Sequence, residues 1–195
     1  MLKQETLDLL DSEIRNDYDR YKGYPYKDRY KLFTHPTVRI DPFWAGKVYT
    51  DEISKYIDNF KWSNPVRYSE YPDFKSIIAT EDIGIYIVIG KPHTLMLNLP
   101  QHVFYVGISG EDGKGRPLRD RLTDYLYFSK IKLRDNIHQM LQMYLEEAYI
   151  IYSTYKGTFE ELEKLEIAFH EYLSPLYSKR DFKPETKKAK RSWNL

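Results

Sequence analysis

Two stretches of sequence decide the fold: Ile83-Gly84-Ile85-Tyr86-Ile87-Val88-Ile89 and Val103-Phe104-Tyr105-Val106-Gly107-Ile108. Both are rich in β-branched and aromatic residues, which is typical of strands. Side chains alternate between the two faces of a strand, so Tyr86 shares a face with Gly84, and Tyr105 shares one with Gly107. If the two strands pair as a hairpin, the phenols of Tyr86 and Tyr105 lie side by side.

The sequence after this hairpin predicts one more strand and three helices. The strand covers Ala148 to Tyr155, and the helices run from Pro117 to about Phe128, from Lys132 to Glu146, and from about Thr158 to Leu173. Pro117 suits the first position of a helix. Thr158-Phe159-Glu160-Glu161 has the pattern of a capping box, in which the first and fourth residues satisfy each other's backbone amides.

The chain on either side of this region is less regular. Residues 1–80 are aromatic and interrupted by prolines, with one helix expected from Lys3 to Lys22 and a short one from Asp51 to Phe60. Residues 179–195 are basic, and a solvated tail and a phosphate-contacting tail both remain open. We therefore expect an N-terminal helical and irregular extension (1–80), a core (81–178) and a basic tail (179–195).

Composition narrows the class of protein. A chain of 195 residues can bury a core of its own and suggests one domain with an attachment. It has no cysteine, which excludes disulfides, zinc sites with cysteine ligands and thiol nucleophiles. No apolar run approaches the roughly 20 residues that span a bilayer, and the N-terminus lacks a signal-peptide core, so we expect a cytoplasmic protein without a membrane partner. The net charge of +1 favours a polyanion partner only if the basic residues are segregated.

Two charged residues lie where helix geometry predicts an apolar environment. Glu166 falls at the edge of the apolar stripe of the last helix, and Arg121 flanks the apolar face of the helix from Pro117. A metal, an ion pair or a catalytic role would compensate the carboxylate, and a phosphate or a buried acid would compensate the guanidinium. A solvent-directed Glu166 and a structural Arg121–Glu166 pair also remain open. His170, one turn after Glu166, is expected to be exposed or capped, and an approach to the site is the alternative left open.

These residues, in this order, resemble the GIY-YIG nuclease family. Gly84-Ile85-Tyr86 and Tyr105-Val106-Gly107 are similar to its two signature strands, and Arg121 and Glu166 follow at compatible spacings. Two further strings add to the likeness: Leu118-Arg119-Asp120-Arg121-Leu122-Thr123-Asp124-Tyr125, similar to the family's arginine helix, and Pro175-Leu176-Tyr177-Ser178, similar to its Pro-x-Tyr-Asn end. The resemblance covers residues 81–178. It implies an α+β fold of the α/β sandwich type, with a small three-stranded antiparallel sheet flanked by helices.

The sequence departs from the family pattern at three places. The loop between the two tyrosine strands is longer than the family usually has. The glycine-rich loop after Gly107 is also expanded, and Lys114 within it is the candidate for the lysine that many members carry directly after that glycine. Ser178 stands where the family usually has Asn, and its hydroxyl can still donate a hydrogen bond.

The resemblance implies a metal-dependent endonuclease. Glu166 would hold one Mg²⁺ or Mn²⁺ ion together with water and a phosphate oxygen, and Arg121 would neutralise the charge developing on the scissile phosphate. Tyr86 or Tyr105 would orient or deprotonate the attacking water, and deprotonation needs a nearby cation because a phenol ordinarily has a pKa of about 10. Tyr125 would contact the water or support these groups. Substrate contacts are expected from Gly84, Gly107, Lys114, Ser178, Lys187 and Lys188.

The family acts mainly on DNA, so the resemblance implies site-specific cleavage of double-stranded DNA by a restriction-type hydrolase, with a homodimer as the expected assembly. It also implies that the extension (1–80) serves DNA contact or dimerisation. Two alternatives from other classes stay open. One is a catalytically weak or silent GIY-YIG module that binds nucleic acid, and the other is an RNA-directed or defence-associated nuclease. A small α/β protein with coincidental motifs would instead pair Arg121 with Glu166 and leave both strand tyrosines outside any cleft.

Overall fold

The computed structural model describes residues 4–6, 8–10, 12, 53–56, 59–70, 72–91, 102–110, 116–145, 147–173, 175, 177–178 and 184. Residues 4–6, 8–10 and 12 are helical, within the predicted opening helix, and residues 53–56 are helical within the predicted short one. Three predicted substrate contacts, Lys114, Lys187 and Lys188, lie outside the described residues, as does nearly all of the basic tail.

The described strands form one antiparallel sheet in the order β1-β4-β2-β3. These strands are β1 (Val66–Arg67), β2 (Ile83–Gly90), β3 (His102–Ile108) and β4 (Ala148–Tyr155). The α+β class and the three predicted strands are confirmed. The predicted count of three is wrong, because the short strand β1 adds a fourth position beside β4, with Val66 opposite Ile150. Two residues are too few to show an alternating pattern, and β1 is held by its partner strand.

Strand β2 lies at the centre of the sheet and is buried on both faces. Ile85, Ile87 and Ile89 point into one core, whereas Tyr86 and Val88 point into the other. This follows from the alternation of side chains along a strand whose two faces are both covered. We name the cores by these residues: the tyrosine core contains Tyr86, and the isoleucine core contains the three isoleucines.

A β-bulge at Phe104 shapes the edge strand β3. Val88 lies opposite Tyr105, but the next residue, Ile89, lies opposite Val103, so Phe104 is an extra residue in β3. The bulge lets Phe104 and Tyr105 both pack with the tyrosine core, although they are neighbours in sequence. The predicted pairing of Tyr105 and Gly107 on one face is retained.

Helices cover both faces of the sheet. They are α1 (Phe74–Ile77), α2 (Leu118–Thr123), α3 (Phe128–Ile131), α4 (Asp135–Tyr144) and α5 (Phe159–Leu173), with 3₁₀ turns at Tyr68–Glu70 and Asp124–Leu126. Helix α5 packs on the isoleucine core, whereas residues of α1 to α4 lie in the tyrosine core. No helix among the described residues is long and apolar enough to span a bilayer.

The predicted helix ends are correct for α5 and only in part for the others. The capping box forms: the Glu161 carboxylate accepts from the Thr158 amide at 2.9 Å, and Thr158 Oγ1 accepts from the Glu161 amide at 3.2 Å. The helix from Pro117 ends at Thr123 and tightens into the 3₁₀ turn that carries Tyr125. Helix α4 begins at Asp135 rather than Lys132, because Arg134 has a non-helical backbone (φ −122°, ψ 81°).

Residues from before position 81 belong to the same folded unit. Leu10 is fully buried in the tyrosine core, and Thr6 Oγ1 donates to the Leu126 carbonyl at 2.9 Å. The Lys61 amide donates to Ser153 Oγ at 2.9 Å. Chain segments on both sides of the predicted boundary at residue 80 therefore support the sheet.

Candidate active site

A hydrogen-bonded cluster of two phenols and a guanidinium lies between β2 and α2. Tyr86 on β2 is fully buried, and its hydroxyl lies 2.8 Å from the hydroxyl of Tyr125. Arg121 Nε donates to the Tyr86 hydroxyl at 3.3 Å. Helix α2 makes this contact because Leu118, Leu122 and the following Tyr125 face the tyrosine core and leave Arg121 on the flank, as its helical spacing predicts.

Tyr105 stands beside this cluster as the half-buried member. Its ring centroid lies 6.0 Å from that of Tyr86, so the predicted side-by-side placement of the two strand tyrosines is confirmed. Gly107 lies directly opposite Tyr86 in the sheet. A Cβ at Gly107 would lie 2.5 Å from the Tyr86 hydroxyl and 2.7 Å from the Tyr105 ring. Glycine at this position therefore makes the space that the Tyr86 phenol occupies.

Gly84, on the strand β2, also has a packing role. A Cβ at Gly84 would collide with the backbone carbonyl of Ser153 on β4, and it would lie 2.8 Å from the Leu118 side chain. Gly84 itself is buried, and its amide donates to Ser109 Oγ at 2.7 Å. The two sequence-predicted glycines thus bring β2, β4 and α2 into close contact and position the phenols.

A second arginine, which the sequence analysis missed, supports the cluster. Arg134 lies over the Tyr125 ring, with its guanidinium carbon 5.2 Å from the ring centroid. Its Nη2 donates to the Asp124 carboxylate at 3.1 Å, and Arg116 Nη2 donates to the other carboxylate oxygen at 2.7 Å. Asp124 is buried, with a side chain 11% exposed, so it binds two guanidiniums where little solvent reaches the carboxylate.

One signal in the sequence points toward Arg134. Between Asp124 and Asp135 the chain carries Lys130, Lys132 and Arg134 and no acidic residue. In a chain of nearly balanced charge, such a segment is a local positive patch. The spacing alone does not show that its last residue turns back onto Tyr125, since that depends on the turn between α3 and α4.

Burial dominates the acid–base properties of the two inner phenols. It raises the pKa of Tyr86 well above its usual range, Tyr105 raises it further, and Arg121 and Arg134 lower it without cancelling the effect of burial. Burial likewise raises the pKa of Tyr125, with Tyr86 adding to the rise. Both phenols are therefore neutral near pH 7. Tyr86 is suited to orient Arg121 rather than to remove a proton from water.

Tyr125 is anchored from the opposite side as well. The Tyr68 hydroxyl donates to the Tyr125 backbone carbonyl at 2.7 Å. Tyr68 is fully buried, and burial raises the pKa of its phenol far above the usual range. The residue that carries the second phenol is thus fixed by its ring, its hydroxyl and its backbone.

Glu166 lies on α5, the helix that packs against β3 and β2 from the isoleucine core. Its side chain is half-buried at the edge of the stripe of Leu162, Leu165 and Phe169, where its helical position predicts it. His170, one turn later, is fully buried, so the expectation that it could be exposed is wrong. Its ring Nδ1 lies 2.8 Å from the carbonyl oxygen of Glu166, so the ring is hydrogen-bonded to the backbone of its own helix. This is the capped arrangement of the expectation.

Ser178 follows the end of α5 and returns the chain to β3. The Tyr177 amide donates to the Phe104 carbonyl at 2.8 Å, and the Tyr177 ring packs edge-on against Phe104. Ser178 is 4% exposed, and its hydroxyl has no hydrogen-bond partner among the described residues. Ser178, which the resemblance aligns with the family's Asn, is therefore a buried donor close to β3.

The resemblance predicts a hard divalent cation bound through a single carboxylate. Among the described residues, no group of three or more His, Asp or Glu side chains is placed to hold a metal. Mg²⁺ commonly takes only one or two carboxylates and completes its shell with water and substrate phosphate. The half-buried Glu166 offers oxygen atoms of the required kind.

Comparison of the chain with protein-family models, with curated proteins and with solved structures found no match.

Proposed function

We propose that this protein is a metal-dependent endonuclease that hydrolyses phosphodiester bonds of double-stranded DNA at specific sites. The observation that carries the proposal is the contact of Arg121 with Tyr86, because the resemblance to GIY-YIG nucleases assigns these two residues to one site. A guanidinium held by a neutral phenol at the margin of a core is suited to binding a phosphate oxyanion.

Each predicted site residue has a distinct task under this proposal. Arg121 binds the scissile phosphate and offsets the negative charge that develops on it. Tyr86 and Tyr125 are neutral and hold Arg121 in position. Tyr105, which is only half-buried, orients the attacking water. Glu166 would hold Mg²⁺ or Mn²⁺, which when bound supplies Lewis-acid stabilisation of the phosphate.

A plasmid cleavage assay with Mg²⁺ or Mn²⁺ tests the proposal with two matched pairs of variants. Arg121→Gln and Glu166→Gln should each lower the cleavage rate at least about 100-fold, the usual loss for a group that stabilises transition-state charge. Arg119→Gln on the same helix and Glu163→Gln, exposed on α5, should retain activity within a few fold. If the control variants lose as much activity as their partners, the assignment of the site is wrong.

The form of the products decides between the finer possibilities. Discrete bands support site-specific cleavage, whereas a smear keeps the chemistry and excludes restriction-type specificity. Preferential cleavage of RNA or of single-stranded DNA in parallel reactions would favour an RNA-directed or defence-associated nuclease.

The burial of the two inner phenols favours a second candidate, a catalytically silent module that binds nucleic acid. Tyr86 is fully buried, and its raised pKa makes it a poor base. This candidate predicts that the wild type retards duplex DNA in a gel but cuts neither plasmid nor RNA with either metal. Metal-dependent cutting that Glu166→Gln abolishes would exclude it.

A further inference from the structure

Two hydroxyl groups from before residue 81 bind the 3₁₀ turn Asp124–Leu126, and the proposed function gives them no role. The Tyr68 hydroxyl donates to the Tyr125 carbonyl at 2.7 Å. Thr6 Oγ1 donates to the carbonyl of the next residue, Leu126, at 2.9 Å. The two donors lie 57 and 120 positions away in sequence, yet they bind consecutive carbonyl groups of one short turn.

These bonds satisfy carbonyl groups at the end of the turn. The Asp124 carbonyl accepts from the Tyr127 amide at 3.1 Å, and the chain then enters α3, where amides donate to the Tyr127 carbonyl. The end of a helical segment leaves carbonyl groups without a donor in the same segment. The two carbonyls that follow Asp124 accept from Tyr68 and Thr6. Both donors are buried, so their hydroxyls fix the backbone of the turn.

The turn sets the position of Tyr125, whose phenol reaches the candidate site. Tyr125 is 1% exposed, and its hydroxyl lies 2.8 Å from that of Tyr86. Arg121 Nε donates to the same Tyr86 hydroxyl at 3.3 Å. A displacement of the turn therefore moves the Tyr125 phenol and alters the hydrogen-bonded pair that orients the guanidinium.

We propose that Tyr68 and Thr6 are positioning residues of the active site, so that the extension (1–80) belongs to the catalytic unit. This inference rests on the proposed function and deepens it, because it assigns a task in catalysis to residues outside the family pattern. Both residues are buried, so they act through the turn on Tyr125 and not on the substrate. The extension then serves the chemistry itself, beyond any contact with DNA or with a second copy.

Variants of nearly the same shape remove each hydroxyl and keep the side chain that fills the core. Tyr68→Phe retains the ring, Thr6→Val retains the branched side chain, and Thr6→Ser retains the hydroxyl. The matched control is Tyr155→Phe, which removes a buried phenol hydroxyl from the isoleucine core, where it donates to the Glu161 carboxylate at 3.4 Å. Thermal melts give the Tm of every variant, and all measurements are made well below it, so that unfolding does not lower activity.

Plasmid cleavage kinetics with Mg²⁺ separate kcat from KM. Tyr68→Phe and Thr6→Val should each lower kcat at least about 10-fold, since a misplacement of about 1 Å at a catalytic group can cost about 100-fold. KM should stay within about twofold, because many phosphate contacts share the binding of DNA. Thr6→Ser and Tyr155→Phe should retain the kcat of the wild type. A raised KM with an unchanged kcat would indicate a substrate contact and would overturn the inference.

A spectroscopic readout follows the cluster without any cleavage. The probe is the NMR signal of Tyr86 Cζ in protein labelled with ¹³C at tyrosine Cζ, and its absence in Tyr86→Phe assigns it. Tyr68→Phe and Thr6→Val should shift this signal, because the Tyr125 hydroxyl moves relative to that of Tyr86. Tyr155→Phe should leave the signal unchanged. A role in stability alone would lower Tm without shifting it.

The two readouts distinguish this inference from the proposed function. If the wild type cuts DNA, the inference alone is overturned by an unchanged kcat in Tyr68→Phe and Thr6→Val, by an equal loss in Tyr155→Phe, or by a lowered kcat without a shift of the Tyr86 signal. If the wild type cuts nothing, the nuclease is overturned; a shifted Tyr86 signal then supports the positioning of the cluster, and an unchanged signal overturns it. If Tyr68→Phe does not fold, Thr6→Val and Thr6→Ser decide by the same criteria.

Discussion

The shared carboxylate of Asp124 gives the sharpest test of how the site is built. Asp124→Asn keeps the shape of the side chain and one carbonyl acceptor but removes the charge that faces Arg116 and Arg134. Removing one partner of a fully buried ion pair costs about 3–5 kcal/mol, whereas exposed pairs contribute about 0–1 kcal/mol. The side chains of Arg134 and Arg116 are 23% and 40% exposed, so the free-energy cost of removing the Asp124 charge should lie between these limits.

We therefore expect Asp124→Asn to lower the free energy of unfolding by about 2 kcal/mol, which for a chain of this size lowers Tm by roughly 4–8 °C. The control is Asp120→Asn on the preceding helix α2, where the carboxylate is 38% exposed and lies 3.8 Å from Arg119. Asp120→Asn should lower the free energy of unfolding by less than about 0.5 kcal/mol. Urea denaturation of both variants measures the difference directly.

A double variant examines the cause of the loss. If the cost of Asp124→Asn comes from leaving Arg134 as an uncompensated charge, then Arg134→Gln added to it should recover part of the lost stability. Equal losses in Asp124→Asn and Asp120→Asn would refute the view that Asp124 organises the two arginines. Strictly additive losses in the double variant would refute the electrostatic explanation.

Three further outcomes follow from the geometry of the sheet and its last helix. Gly107→Ala should lower the free energy of unfolding by about 1–3 kcal/mol, because the added methyl group meets the Tyr86 hydroxyl. The loss should be smaller in a Tyr86→Phe background. Equal losses in both backgrounds, measured by urea denaturation, would contradict the clash. The pKa values of Tyr68, Tyr86 and Tyr125 are raised in the folded protein, so as the pH rises the unfolded chain loses these protons before the folded chain does. The contribution of these phenols to the free energy of unfolding should therefore be constant below about pH 10 and fall above it. Denaturation midpoints that stay flat to about pH 12 would exclude this, and Tyr68→Phe should make the fall less steep by about one proton. Thr158→Ala should lower the free energy of unfolding by about 1 kcal/mol, because it removes the side-chain cap of α5. An unchanged Tm would show that the capping box does not contribute to stability.

The parts of the fold that depend on local pattern could be predicted from the sequence. Strands β2 and β4 have runs of β-branched and aromatic residues, and α5 begins at a capping box, so their ends agree with expectation. The strand β1 and the bulge at Phe104 could not be predicted, because both depend on which residue of a distant strand lies opposite.

In the candidate site, too, some features could be predicted from the sequence and others depend on contacts that no local pattern shows. Strand pairing predicts Tyr86 and Tyr105 side by side, whereas only the resemblance groups Arg121 and Tyr125 with them. The structure places all four within one cluster. The part played by Arg134 depends on a turn whose backbone is non-helical at that residue. No local pattern predicts that geometry.

The sheet that separates the two cores has a consequence for how the protein tolerates change. Substitutions at Ile87 in the isoleucine core and at Val88 in the tyrosine core are adjacent in sequence but contact different neighbours. Effects at sites without shared partners usually add, whereas effects within one packed core do not. The face that holds the phenols can therefore diverge, or be redesigned, while the opposite core continues to carry the fold. Gly84 and Gly107 are the exceptions, since there the backbone itself is part of the packing.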